Sequence, residues 1–370
     1  MRQATTPVGV VEPEAAVRSS PPSRPVQPIG ATESRQGASR PRLQALDAAR
    51  GFAIVVMLVV MNPGNTGDLP EQLRHPEWHG FTIADLALPL FLFASGFAMV
   101  LSRRALDTRL VLRRVGLMVL FGIALGTLKH NALTWTGVLQ HLAGSYLLAW
   151  AVLRLPRRVQ APIAAGIVGA MWIAFAAWGF GGDPWAPGDT LAHAFGRLVG
   201  TGFTTEGLLQ TITGATTVLA GAFFGRLSRW ARTPEELVVP LAGYAAAFVG
   251  AGMLLGVIVP FNKHLWTPSF AVLTIGTSLA FLALGIWLID ICGLRRLTRP
   301  LVHLGANPIT IYVASMAILF SLRGYAEGWA PEIAPAGSPL LGATVYALGW
   351  TVLWWLVART LYCRRIFIKI

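Results

Sequence analysis

The residues that could carry chemistry are few and concentrated. The densest group runs from Asn62-Pro-Gly-Asn-Thr-Gly-Asp68 through Arg74-His75-Pro-Glu77-Trp78-His79-Gly80 to Asp85. A histidine in such a loop suits acyl transfer. Its ordinary pKa of about 6.5 lets it take a proton from an attacking amine or hydroxyl at neutral pH. Its ring nitrogen can also carry an acyl group itself. An amide such as that of Asn62 can donate to the oxyanion of a tetrahedral intermediate. The competing reading is a polar loop whose histidines only hydrogen-bond at a membrane surface. Asp85 lies a few residues into an apolar stretch, where an ionisable group is a functional candidate. The favoured alternative is a carboxylate facing the positive end of a helix dipole.

Other candidates are more scattered. Gln140-His141 opens an apolar stretch, and His141 can face a site or bond to a neighbouring helix. Lys263, in Asn262-Lys-His-Leu-Trp266, could meet an anionic substrate group or belong to a plain interfacial turn. His303 and Asn307 could contact a polar ligand or cap a helix. Asp47 and Arg50, three residues apart, are expected to pair on one helix face. No phosphate-binding glycine loop, GxSxG elbow or CxxC framework is present, so nucleotide hydrolysis, hydride transfer and serine hydrolysis lack support. Cys292 and Cys363 sit beside arginines at segment ends, and neither a disulfide nor a metal cluster is expected.

The elements that must hold these groups follow from composition. Of 370 residues, 54% are hydrophobic and 13% charged, and the mean hydropathy is +0.57. Soluble domains carry about 25% charged residues, and charge this scarce cannot cover a soluble fold of this size. The expectation is an all-α polytopic membrane protein. Apolar stretches of spanning length lie near 44–62, 82–101, 110–128, 137–153, 161–180, 207–225, 237–259, 268–289, 300–322 and 339–358, about ten spans. Residues 1–43 are rich in Pro, Ser, Arg and Gln, have no apolar signal region, and read as a disordered cytoplasmic tail ahead of a membrane domain at 44–370.

The net charge is +13, and its placement matters more than its sum. Of the 30 basic residues, 25 fall in the tail, the start of the first span and alternate connections, such as Arg154, Arg157 and Arg158 or Arg226, Arg229 and Arg232. The positive-inside rule makes that set, and both termini, cytoplasmic. The charge is therefore a topology signal and not a nucleic-acid footprint. The longer mixed connections at 63–81 and 181–206 then face outward, where a site is most readily built.

Seven stretches, in order, give the chain a family resemblance. They are Arg42-Leu-Gln-Ala-Leu-Asp-Ala-Ala-Arg-Gly51; Asn62-Pro-Gly; His75-Pro-Glu-Trp-His-Gly-Phe-Thr-Ile-Ala-Asp85-Leu; Gly137-Val-Leu-Gln-His141; Glu206-Gly-Leu-Leu; Asn262-Lys-His-Leu-Trp-Thr-Pro-Ser-Phe270; and Leu304-Gly-Ala-Asn307-Pro. Together they resemble the heparan-alpha-glucosaminide N-acetyltransferase family, in particular its bacterial membrane acyltransferases, over about residues 42–370. The resemblance implies transfer of an acetyl group from cytoplasmic acetyl-CoA, a co-substrate, to an extracytoplasmic amino sugar or glycan. It implies an inner-membrane location with the active loop on the periplasmic side, and it makes a homodimer plausible. The implied catalytic residues are His75 and Asn62, with Trp78, His79, Asp85, Gln140, His141, Lys263 and Asn307 as substrate-binding candidates and no metal. His141 departs from the family pattern, which has Arg there. The alternative is a multi-pass solute transporter, against which stands the lack of a clear internal repeat.

Overall fold

The computed structural model describes Met1 and residues 43–61, 69–101, 106–179, 182–333 and 339–368, with side chains left out from 323 to 339. The expectations for the tail and for Asn62 and Asp68 lie outside the described residues. The described chain is built of twelve α-helices: α1 (Gln44–Val60), α2 (Ala87–Leu101), α3 (Thr108–His130), α4 (Val138–Leu153), α5 (Arg157–Trp178), α6 (Leu191–Leu198), α7 (Leu208–Leu227), α8 (Pro234–Gly256), α9 (Pro268–Ile286), α10 (Arg295–Ala306), α11 (Pro308–Ile333) and α12 (Pro339–Cys363). Each apolar stretch read from the sequence coincides with helix. Seven helices are long and apolar enough to cross a membrane, or eight when the α10–α11 pair counts as one span. The expected ten is not reached by this measure, because α1 has 17 residues and α4 has 16.

The ninth stretch is not one straight helix. α10 and α11 meet at 71° across Asn307-Pro308, where proline cannot continue the preceding helix. The Asn307 amide donates to the Ile366 carbonyl at 2.8 Å, and its oxygen accepts from the Ile368 N–H at 2.8 Å. The long connection between α5 and α7 also differs from an irregular loop. It contains α6, opened by a reciprocal cap between Thr190 and His193.

α2, α7 and α9 are mostly buried, whereas α3, α5, α8 and α12 turn large apolar side chains outward, as lipid-facing helices do. Small residues let the central helices approach. A Cβ at Gly96 of α2 would collide with the Val218 carbonyl oxygen of α7, and one at Gly221 of α7 with that of Phe93. Backbone contact of this kind is how helices associate where the solvent is itself apolar. We expect Gly96→Val to force the two helices apart at a cost of about 1–3 kcal/mol. A lowered melting temperature of the purified variant checks it; an unchanged one would mean the seam yields freely. The Asp47–Arg50 pair forms as expected, at 3.5 Å, and Arg50 also donates to the Ala94 carbonyl of α2.

Candidate active site

The loop between α1 and α2 is held on several sides. Pro70 leads into a tight turn at Glu71–Leu73, after which Arg74 is extended. The Arg74 carbonyl accepts from the Thr82 hydroxyl at 2.8 Å. Gly80 takes φ +136°, a conformation open to glycine, and its N–H donates to the Phe261 carbonyl at 2.8 Å. Trp78 donates from its indole to the Trp185 carbonyl and stacks on His264, with ring centroids 5.3 Å apart. His75 is thereby presented from a fixed backbone.

Thr82 and Asp85 form a reciprocal capping box at the start of the α2 span. This supports the reading of Asp85 as a helix-terminal carboxylate, and the geometry adds a second role. Asp85 Oδ2 accepts from the Thr82 N–H at 3.2 Å, while Oδ1 lies 2.8 Å from His75 Nδ1. The Asp85 side chain is fully buried and that of His75 is 36% exposed. A carboxylate placed this way accepts from Nδ1–H and leaves Nε2 with its lone pair.

Lys263 completes the group. Its Nζ lies 3.5 Å from Asp85 Oδ1 and 3.3 Å from His75 Nε2. The turn before α9 aims it: buried Asn262 accepts from the Leu265 N–H at 2.9 Å and donates its own N–H to Thr267 Oγ1 at 3.1 Å. His75 and Lys263 open onto a cavity of about 280 Å³ whose other polar lining is Lys129, Thr205, Glu206, His264 and Tyr312. The rest is apolar, including Met57, Met61 and Leu142.

The remaining candidates fall elsewhere. Trp78 and His79 support the loop, His79 Nδ1 accepting from the Asn262 amide at 3.2 Å. Gln140 and His141 are buried in α4, His141 packing its ring on Trp266 with centroids 4.7 Å apart. The cavity is lined by their neighbours Leu139 and Leu142 instead, because the helix turns 100° per residue. Asn307 is engaged with the backbone after α12. Thr82, Thr205 and Tyr312 were not singled out from the sequence; only Thr82 left a signal, the Thr-x-x-Asp cap spacing.

Three loop histidines are held below the ordinary value of 6.5. For His79, His193 and His264 burial is the main cause. His264 fits a neutral ring, with Nδ1 accepting from Thr205 Oγ1 at 2.7 Å and Nε2–H facing the Pro76 carbonyl. Each binds a proton more readily when unfolded, so its contribution is complete above the unfolded value and is lost as pH falls through the lowered folded values. We expect the melting temperature to be flat above about pH 7 and to fall below about pH 6.5. A His264→Gln variant should show a shallower fall; equal slopes would remove His264 from this account.

A family model for "Heparan-alpha-glucosaminide N-acetyltransferase, catalytic" matches residues 42–255, more than half of the chain. The chain belongs to this family. The human heparan-alpha-glucosaminide N-acetyltransferase is 24% identical over 441 aligned residues, covering 95% of this chain and 63% of the human protein. The mouse protein of the same name is 31% identical over 147 residues, covering 35% of this chain and 21% of the mouse protein. The chain thus spans less than two thirds of the length of these relatives. In this heparan-alpha-glucosaminide N-acetyltransferase family member, the matched region contains Asn62, His75 and Asp85, while Lys263 lies beyond it and meets His75 and Asp85 through the turn before α9.

Proposed function

We propose that the protein transfers the acetyl group of acetyl-CoA to the amine, or a hydroxyl, of a glucosamine-type sugar, with His75 at the reacting centre. The observation that carries this reading is the Asp85–His75–Lys263 group at the mouth of a mostly apolar cavity, in a chain of this family. The cavity is at the small end of the ~300–1,000 Å³ typical of ligand pockets. It suits the acetyl-thioester end of the donor and not the whole nucleotide.

Asp85 holds the His75 ring, and His75 Nε2 takes the proton as the acceptor nitrogen or oxygen bonds to the thioester carbonyl carbon. The C–S bond breaks, and the thiolate leaves and is protonated. Lys263 Nζ and the Asn62 amide are assigned to the carbonyl oxygen as its negative charge grows. The alternative two-step route places the acetyl group on His75 Nε2 first. The charge asymmetry supports a cytoplasmic donor and a periplasmic acceptor, which requires the thioester to reach into a hydrocarbon core about 30 Å thick.

The test uses the purified full chain in proteoliposomes with labelled acetyl-CoA and glucosamine. CoA-dependent acetylation is expected. Solute flux without acetylation would replace the reading with a carrier. Omitting the acceptor then separates the routes: label retained on His75 supports the acetylated histidine, and an unlabelled protein that turns over competently leaves His75 as a base.

A further inference from the structure

A second cavity, larger than the one at His75, lies between helices that do not take part in the proposed site. It encloses about 730 Å³ between α5 and α8, floored by α7 and α9. Its walls are almost wholly apolar: Ala161, Ala165 and Val168 on one side, Tyr244 and Phe248 on the other, and Ile275 beneath. α5 and α8 are lipid-facing helices, so the slot opens sideways toward acyl chains.

One end of the slot is charged. Arg157, the first residue of α5, and Arg226, in the last turn of α7, both line it, and no acidic residue does. Arg157 and Arg229 act on Arg226 as like charges. Gln160 is buried and fully engaged, its amide nitrogen donating to the Leu153 and Leu155 carbonyls and its oxygen accepting from Arg226. The Arg226 guanidinium is therefore held at a fixed position at the slot's mouth. Beside it, Trp230 is 80% exposed, the placement of an interfacial anchor. An apolar slot of this size ending in a held Arg226 guanidinium with Arg157 beside it is complementary to one kind of molecule. Arg grips phosphate through its planar fork, and basic pockets between spanning helices select anionic headgroups.

We propose that the crevice between α5 and α8 is a binding site for one anionic phospholipid, its phosphate on Arg157 and Arg226 and its acyl chains in the slot. The lipid belongs to the leaflet that faces the arginine-rich connections. Its role is to fill the gap between two peripheral helices that both pack on α9.

Native mass spectrometry of the full chain, titrated with phosphatidylglycerol or phosphatidylcholine, tests this. Phosphatidylglycerol should bind at least about tenfold more tightly. Arg157→Gln should abolish that preference. Ala165→Trp, which fills the slot and leaves both arginines in place, should reduce binding of either lipid while leaving the melting temperature of the lipid-free protein unchanged. Equal retention of the two lipids by the wild type, or undiminished phosphatidylglycerol binding by Ala165→Trp, would overturn the proposal. So would displacement of the lipid by acetyl-CoA, which would give the slot to the nucleotide end of the donor. None of these outcomes depends on whether His75 is the reacting residue.

Discussion

Replacing His75 by alanine should lower CoA-dependent acetylation by about 10²–10⁴-fold, the range a positioned general base contributes. The side chain is partly exposed, so the variant should fold and keep its stability within about 1 kcal/mol of the wild type. The loop is anchored by Trp78, Gly80 and Thr82, which the substitution does not touch. Binding of acetyl-CoA should persist, so the loss should fall on kcat and not on KM. Acetylation unchanged in His75→Ala would reject the assigned centre outright. Loss of activity together with loss of fold would assign His75 a structural role instead.

Replacing Asp85 by asparagine should give a different signature. The carboxylate serves two donors at once, the Thr82 N–H through Oδ2 and His75 through Oδ1. An amide supplies only one acceptor oxygen, so an NH₂ group must face either the backbone N–H or the imidazole. If it faces the imidazole, the ring is driven toward the opposite tautomer and Nε2 no longer holds the free lone pair. An activity loss of about 10²–10⁴-fold is expected, because an imidazole held in the wrong tautomer loses its basic nitrogen. Lys263 also loses its buried carboxylate, 3.5 Å away. A stability loss of about 1–3 kcal/mol follows from the unsatisfied buried group. The pH–rate profile discriminates: a shifted acid limb marks Asp85 as acting through His75, whereas a uniform scaling at every pH would leave it only the helix cap.

The helical architecture was legible because apolar length is a direct physical requirement of the bilayer. Where it misled, the helix was short or interrupted. α1 falls short of spanning length at 17 residues, and the ninth stretch bends because Asn307-Pro308 interrupts it. The pairing of His75 with Asp85 was half legible. Each residue stood out, and the Thr82-x-x-Asp85 spacing foretold the cap, but a bond across ten positions depends on how the Thr82–Arg74 and Gly80–Phe261 bonds fold the chain between them. Lys263 was visible as a charge in an apolar context, yet its arrival beside Asp85 depends on α9 packing across α1 and α2. Gln140, His141 and Asn307 show the converse. Polarity near a membrane segment marked them equally, but Asn307 clasps the backbone after α12, while Gln140 and His141 are buried in α4 with Gln140 Nε2 and His141 Nε2 lacking a hydrogen-bond partner.

The clasp at Asn307 has a consequence for how the chain is made. Both of its bonds run to Ile366 and Ile368, about sixty positions further on. The angle between α10 and α11 therefore cannot be locked while the ribosome is still producing α12. The bend must first exist unsupported, held open by proline alone, and becomes permanent only when the segment after α12 folds back upon it. Assembly at this joint thus waits for residues about sixty positions downstream, which fasten a bend made earlier.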